Sequence, residues 1–160
     1  DPFLFYHKPK QCISPPCKYH FFRTFVVHYI MNEMENNIHH ILLALGSNIR
    51  AEENIREAQA YLTAKFPNMQ FSRLLSTPAI GIVSPPFINC MAQAHCSVEL
   101  DEVLDVLKSI EVAMGSTNED RKKNVVVIDI DLLQFDNERR KTDDWDRDYI
   151  QLLYKELCCK

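Results

Sequence analysis

Apolar residues along this chain switch between two spacings. His40 to Leu45 is a short apolar run, HILLAL, that stops at Gly46-Ser47-Asn48, as a buried strand running into a polar turn does. From Ala51 to Phe66 the apolar positions fall at Ile55, Ala58, Leu62 and Phe66, a helical period. Asn48 is placed to cap that helix, Glu52 and Glu53 suit its first turn, and Pro67-Asn68 ends it. Met69 to Thr77 reads as a second strand, Pro78 to Pro86 as a Pro- and Gly-rich loop, and Phe87 to Leu100 as a long third strand. Asp101 to Met114 is a helix with Val103, Leu104, Leu107, Ile110, Val112 and Met114 in one stripe, closed by Gly115. Ser116 to Asn124 is polar and reads as a mobile loop. Val125 to Phe135 is a fourth strand, Asp136 to Asp144 a charged connection, and Trp145 to Leu157 a short last helix.

The order β-α-β-β-α-β with a tail predicts an α+β domain of the ferredoxin-like, split βαβ kind. Its antiparallel sheet would carry both helices on one face and leave the other for a site. Such a fold is reused for many functions and names none. Residues 1 to about 36 mix Pro, Cys, His and aromatics without a period, and read as an extension outside the fold, disordered or foreign to the native chain. The domain is expected over 37–160.

Composition narrows the chemistry slightly. The chain has 160 residues, 46% of them hydrophobic and 25% charged, and a formal net charge of -4. No bulk basic field recruits nucleic acid or acidic lipid, so neither is expected as a partner. No apolar run is long enough to span a bilayer and no signal-peptide pattern stands out, so a cytoplasmic protein is expected. The six cysteines are scattered without a CxxC pair, and Cys90 and Cys96 read as small core residues.

Three local patterns carry candidate chemistry. In VVVIDIDLL, Val125 to Leu133, the residues Ile128, Ile130 and Leu132 point to one side of the strand and Asp129 and Asp131 to the other. Alternate residues on a strand lie roughly 7 Å apart, so two carboxylates can converge on hard cations. The plain alternative is a solvated strand face. Two like charges side by side, however, are unfavourable without a cation. Leu45-Gly46-Ser47-Asn48 follows the first strand. Its glycine lets backbone approach a ligand closely, although an ordinary strand-to-helix turn accounts for it equally. Thr77-Pro78-Ala79-Ile80-Gly81 precedes Ser84-Pro85-Pro86-Phe87-Ile88-Asn89. A stiff loop, a ring and an amide two residues apart suit a flat polar heterocycle; Phe87 as plain core is the alternative.

Together these patterns resemble one family. LGSN after the first strand, TPxxG before the third, the aromatic-x-Asn pair of PFIN, and DxD on the fourth strand occur in the order seen in the 6-hydroxymethyl-7,8-dihydropterin pyrophosphokinases. The resemblance covers about residues 38 to 135, and more weakly to 157. It implies transfer of pyrophosphate from ATP to the hydroxymethyl group of a reduced pterin, with release of AMP, at the start of folate assembly. It also implies small-molecule partners, ATP and the pterin. Asp129 and Asp131 would hold two magnesium ions as the catalytic acids. Asn89 would bond the pterin edge, Phe87 and Tyr149 would stack on its faces, and Thr77 and Ile80 would offer it backbone groups. Glu111, Arg121, Lys122, Lys123 and Arg147 would serve the nucleotide.

The departures fall mainly on the nucleotide side. The family pattern RWGPRTxDxD is replaced by Arg121-Lys122-Lys123-Asn124-Val125-Val126-Val127 before Asp129, and Ser116 stands where an arginine is usual. The three loop cations could substitute, although lysine lacks the arginine fork. The chain also ends soon after Tyr149, where the family continues with a histidine-containing segment. These departures keep open a homologue that binds pterin and nucleotide but catalyses poorly. An RNA-binding module of the same fold would need sheet aromatics where Asp129 and Asp131 stand, and a basic surface.

Overall fold

The computed structural model describes residues 38–79 and 83–158. The extension expected over residues 1–36, and Ile80 and Gly81 of the TPxxG segment, lie outside the described residues. In chain order the elements are β1 (His39–Ser47), α1 (Ala51–Lys65), β2 (Gln70–Phe71), β3 (Leu75–Thr77), β4 (Phe87–Cys96), α2 (Leu100–Ala113), α3 (Asn118–Lys122), β5 (Asp129–Phe135), β6 (Glu138–Arg139), a 3-10 turn (Thr142–Asp146) and α4 (Asp148–Cys158). The strands form one antiparallel sheet of order β2-β4-β1-β5-β6, and β3 also pairs with β4. The α+β, ferredoxin-like expectation holds, with β1 central.

Alternation along β1 assigns its two faces. Ile41, Leu43 and Leu45 pack beneath α1 and α2, against Ile55, Ala58, Leu62, Val103, Leu107 and Ile110. Leu42 and Ala44 face the other way. There they meet Met91, Leu133 and Trp145, with Ile150, Leu153 and Leu157 of α4. The expectation that this second face stays open therefore needs correcting: α4 covers its far half. Burying a leucine or isoleucine contributes about 1.5–3 kcal/mol, so three from one short helix hold it firmly.

Several element bounds differ from expectation for local reasons. The second strand breaks in two. Phe71 pairs with Ala92 and Leu75 with Asn89, so four steps on one strand face three on the other. The Ser72 hydroxyl bridges the break by accepting from Met91 N at 2.9 Å. The third strand stops at Cys96, and α2 begins at Leu100. Within α2, Val112 is 62% exposed. It lies two residues, about 200° of helix rotation, past buried Ile110, and so leaves the expected stripe. Gly115, at φ 82°, ends this helix as expected.

The segment 116–124 is not a plain loop. It contains α3, whose N-cap Thr117 accepts from Asp120 N while donating to the Asp120 carboxylate. Asp120 stands at N3 as in a capping box, but its carboxylate takes the Thr117 hydroxyl. The fourth strand begins at Asp129 rather than Val125. It bulges at Leu133, because Leu43 pairs with Leu132 while Leu42 pairs with Gln134. The last helix begins at Asp148, and Trp145 belongs to the 3-10 turn before it.

One ion pair ties the ends of β1 and β5. His39 Nδ1 lies 2.7 Å from Asp136 Oδ2, and Asp136 Oδ1 accepts from His40 N at 2.8 Å. The hydrogen bond to Asp136 raises the His39 pKa above its ordinary 6.5, and the same bond holds Asp136 below 3.8. A raised folded-state value for His39 means stability present below about pH 6.5 and lost as pH climbs through that value. A depressed value for Asp136 means stability present above about pH 4 and lost on further acidification. Thermal melts should therefore show Tm falling from pH 6 towards pH 8, and His39→Gln should flatten that fall.

Candidate active site

Asp129 and Asp131 stand on the α4 side of the sheet, at the end of β5 that α4 leaves uncovered. Cross-strand register builds the floor around them. Gly46 in β1 pairs with Asn89 on one side and with Asp129 on the other, and Ala44 pairs with Met91 and Asp131. The row Asn89–Gly46–Asp129 thus has an empty middle. A Cβ on Gly46 would lie 3.3 Å from Asn89 Oδ1 and 3.8 Å from Phe87 Cδ1. The glycine makes room for side chains of β4, not for a turn.

The polar half of the LGSN segment has a task the sequence did not suggest. Asn48 does not cap α1; Arg50, at φ 42°, occupies the N-cap position. Asn48 Nδ2 donates to Asn124 O at 2.7 Å, and its Oδ1 accepts from Val126 N at 2.7 Å. Ser47 Oγ donates to Val127 O at 2.6 Å. Both residues are buried, at 5% and 0% exposure. Together they grip the chain entering β5 and set where Asp129 emerges.

Two clefts meet at the acid pair. The first, of about 430 Å³, is lined by Gly46, Thr77, Phe87, Asn89, Arg147 and Tyr149 among others. Asn89 is 5% exposed and donates through Nδ2 to Thr77 Oγ1 at 2.8 Å, which fixes the amide plane. Burial raises the Tyr149 hydroxyl pKa, and the Arg147 guanidinium opposes that rise. Arg147 also pairs with Asp144 at 2.8 Å. The second cleft, of about 600 Å³, lies across the acid pair and is lined by Lys108, Glu111, Arg121, Arg139, Arg140 and Lys141 among others. Asp129 and Asp131 line both.

Glu111 anchors the second cleft. It occupies an inward position of α2, one turn after Leu107, and is 6% exposed. Its Oε1 accepts from Ile130 N at 2.9 Å and from Arg121 Nη2 at 3.2 Å, and Lys108 Nζ bonds its Oε2 at 3.1 Å. Arg121 in turn donates to Asp129 Oδ1 at 2.7 Å. Burial disfavours the Arg121 charge, but the Asp129 bond and the Asp129 and Glu111 charges outweigh it and raise its pKa. Asp131 is pushed up by burial first and by the Asp129 charge second, against the pull of Lys141, whose Nζ bonds Asp131 Oδ1.

Of the residues singled out in the sequence, Thr77, Phe87, Asn89, Arg147 and Tyr149 share the first cleft, and Glu111 and Arg121 share the second. Arg147, expected near the nucleotide, lies on the Tyr149 side. Lys122 and Lys123 are exposed and line neither cleft. Sequence reasoning missed Lys108, Asp144 and the Arg139-Arg140-Lys141 run. That run was visible as three consecutive cations, but only the β5–β6 hairpin folds it back beside Asp131.

The acid pair suits a hard divalent cation by donor type. Among the described residues no group of three metal-ligating side chains converges. Two carboxylates with further oxygens from water and phosphate would complete a magnesium shell, the arrangement that ion accepts most readily.

A family model for 7,8-dihydro-6-hydroxymethylpterin-pyrophosphokinase matches residues 42–157. The chain belongs to this family. It is thereby placed among the pterin pyrophosphokinases, transferases of folate biosynthesis. The matched span runs from β1 through α4, and so takes in both clefts and the acid pair. A search of curated proteins returns no match to the chain. No helix among the described residues is long and apolar enough to cross a membrane.

Glu111 gives the test of this construction. Truncating it strands the buried Ile130 N–H, at about 1–3 kcal/mol, and takes one of the two carboxylate partners of the half-buried Arg121. Chemical denaturation of Glu111→Ala should show a loss of about 2–4 kcal/mol, and Glu111→Gln, which keeps an acceptor, less than half of it.

Proposed function

We propose that this protein transfers the terminal pyrophosphate of ATP to the hydroxymethyl oxygen of 6-hydroxymethyl-7,8-dihydropterin, releasing AMP. The reading rests on one observation: Asp129 and Asp131 line both clefts, so an acceptor in one and a polyphosphate in the other would meet at the same two carboxylates. The pterin hydroxyl oxygen forms a bond to the β-phosphorus. The bond from that phosphorus to the α-bridging oxygen breaks, AMP leaves, and the hydroxyl proton passes to solvent. Transfers of this kind depend chiefly on alignment and charge neutralisation. Two magnesium ions held by Asp129 and Asp131 would supply that neutralisation.

The chain's own residues account for the rest. Asn89, its amide oriented by Thr77, would bond the heterocycle edge, and Ile80 would add a backbone group. Phe87 and Tyr149 would flank the ring, and an apolar-walled slot favours a flat ligand. Arg121, steadied by Glu111, would contribute a fixed guanidinium fork towards phosphate. Arg147, paired with Asp144, would hold Tyr149 in place. Lys122 and Lys123 stay in this reading only if α3 turns them inward on nucleotide binding. The proposed setting is cytoplasmic.

A second reading, a binding protein with impaired catalysis, draws support from those two outward lysines and from the cation already paired with each acid. One assay separates the two. Purified protein, magnesium, ATP and the pterin alcohol are mixed and AMP is followed. AMP release supports transfer; pterin binding without AMP leaves only the binding reading. Asp129→Asn should cut turnover about a thousandfold, since metal stabilisation is worth several kcal/mol and each ~1.4 kcal/mol is tenfold. Its circular dichroism and melt should stay near wild type. An undiminished rate would remove the acid pair from the chemistry.

A further inference from the structure

The second cleft carries four cations that the roles above leave unassigned: Lys108, Arg139, Arg140 and Lys141. Three have structural partners. Lys108 bonds Glu111. The Arg139 guanidinium lies 4.3 Å over the Trp145 ring. Arg140 approaches Glu138 at 3.8 Å. Lys141 instead aims at the acid pair and bonds Asp131 Oδ1. Its side chain is 49% exposed, so the four-carbon stem has room to swing.

Lys141 is one of five non-glycine residues with positive φ among the described residues. Its φ of 47° and ψ of 56° lie in the left-handed region, where a side chain carries a steric cost and glycine does not. Neighbouring bonds impose that conformation. Arg140 N donates to Leu133 O at 2.8 Å, Trp145 Nε1 donates to Arg140 O at 3.1 Å, and Asp144 N donates to Lys141 O at 2.9 Å. Those bonds hold the backbone so that Lys141 is directed at a carboxylate common to two clefts.

We infer that Lys141 is a polyphosphate-gripping residue: it is Asp131's counter-ion in the free protein, and it passes to a phosphate oxygen when a divalent cation takes that carboxylate. The inference rests on the pyrophosphokinase reading. A dication held at Asp131 would compete with the Lys141 ammonium for the same negative charge. Lys141 lines the second cleft, so its freed ammonium would face a polyphosphate held there. Neither a bare acid pair nor a bare lysine is left at any stage, and either would be unfavourable in a partly buried cleft.

Binding measurements without pterin test it, using magnesium alone, magnesium with ATP, and magnesium with AMP as probes. In Lys141→Met the affinity for ATP should fall about tenfold, the loss of one charge-assisted bond, while that for AMP changes less than about twofold. Magnesium alone should bind the same variant severalfold tighter, its competitor being gone. Lys141→Arg should keep most of the ATP affinity. Lys141→Gly should lose as much ATP affinity as Lys141→Met while its Tm lies above that of Lys141→Met, because both lose the Asp131 pair but only glycine relieves the backbone cost. An unchanged ATP-to-AMP affinity ratio in Lys141→Met would overturn the inference. So would a Lys141→Gly variant that keeps the wild-type ATP affinity. AMP release by the wild type together with an unchanged ratio in Lys141→Met sinks this inference alone. Failure of AMP release with the ratio shifted as expected sinks the transfer reading, and leaves Lys141 as a polyphosphate ligand.

Discussion

The grip of Ser47 and Asn48 on residues 124–127 is the constraint from which the site follows. Two buried side chains at the end of β1 satisfy backbone groups of a segment that would otherwise extend β5. Buried amides and carbonyls must be paired, and here side chains replace the ladder. The ladder therefore starts at Asp129, so the acid pair lies at the strand's first and third positions, at the rim of the sheet. Shifted inward by one turn of the pleat, the same acids would fall beneath α4 among Ile150 and Leu153. Without the grip, the two clefts would have no fixed edge in common.

A second constraint comes from charge. The sheet face carrying Asp129 and Asp131 could not bear two carboxylates without cations close by. Arg121 reaches one from α3 and Lys141 reaches the other from the β5–β6 hairpin. Glu111 makes the first of these reliable, because a buried carboxylate bonded to Ile130 N holds Arg121 over the strand edge. Trp145 makes the second reliable through its bond to Arg140 O. The acids, their counter-ions and the groups that position them thus form one chain of contacts around the end of β5. α4 closes it on the far side by covering the half of the sheet the site does not use.

Local pattern was enough for what depends on local pattern. The period-3.6 stretches became α1 and α2, and the alternating acids of β5 faced away from the helical core. The failures share a cause. Val125-Val126-Val127 looks like strand because β-branched residues favour strands, yet side chains nearly eighty positions earlier claim its backbone. Ser116 to Asn124 looked like loop by composition, although Thr117 and Asp120 spell a helix start. Glu111 occupied a core position of its helix, and a charged residue on an apolar stripe is a signal that helical periodicity alone supplies. Lys141 had no such signal: its aim depends on a hairpin turn at Asp136, a bulge at Leu133 and a tryptophan bond. Gly46, Thr77, Phe87 and Asn89 of the first cleft were legible as motifs and Arg121 as a loop cation; Lys141 was not.

The vacancy at Gly46 also bears on how this pocket can change. Its breadth comes from atoms missing on the central strand, between an amide and a carboxylate on rigid neighbours. Every replacement there adds bulk, and none can widen the space further. Adjustment of the cleft's width is therefore left to the walls, near Thr77 and the start of α4. The centre of the floor admits one state and the periphery many, so divergence in ligand preference would be written at the rim.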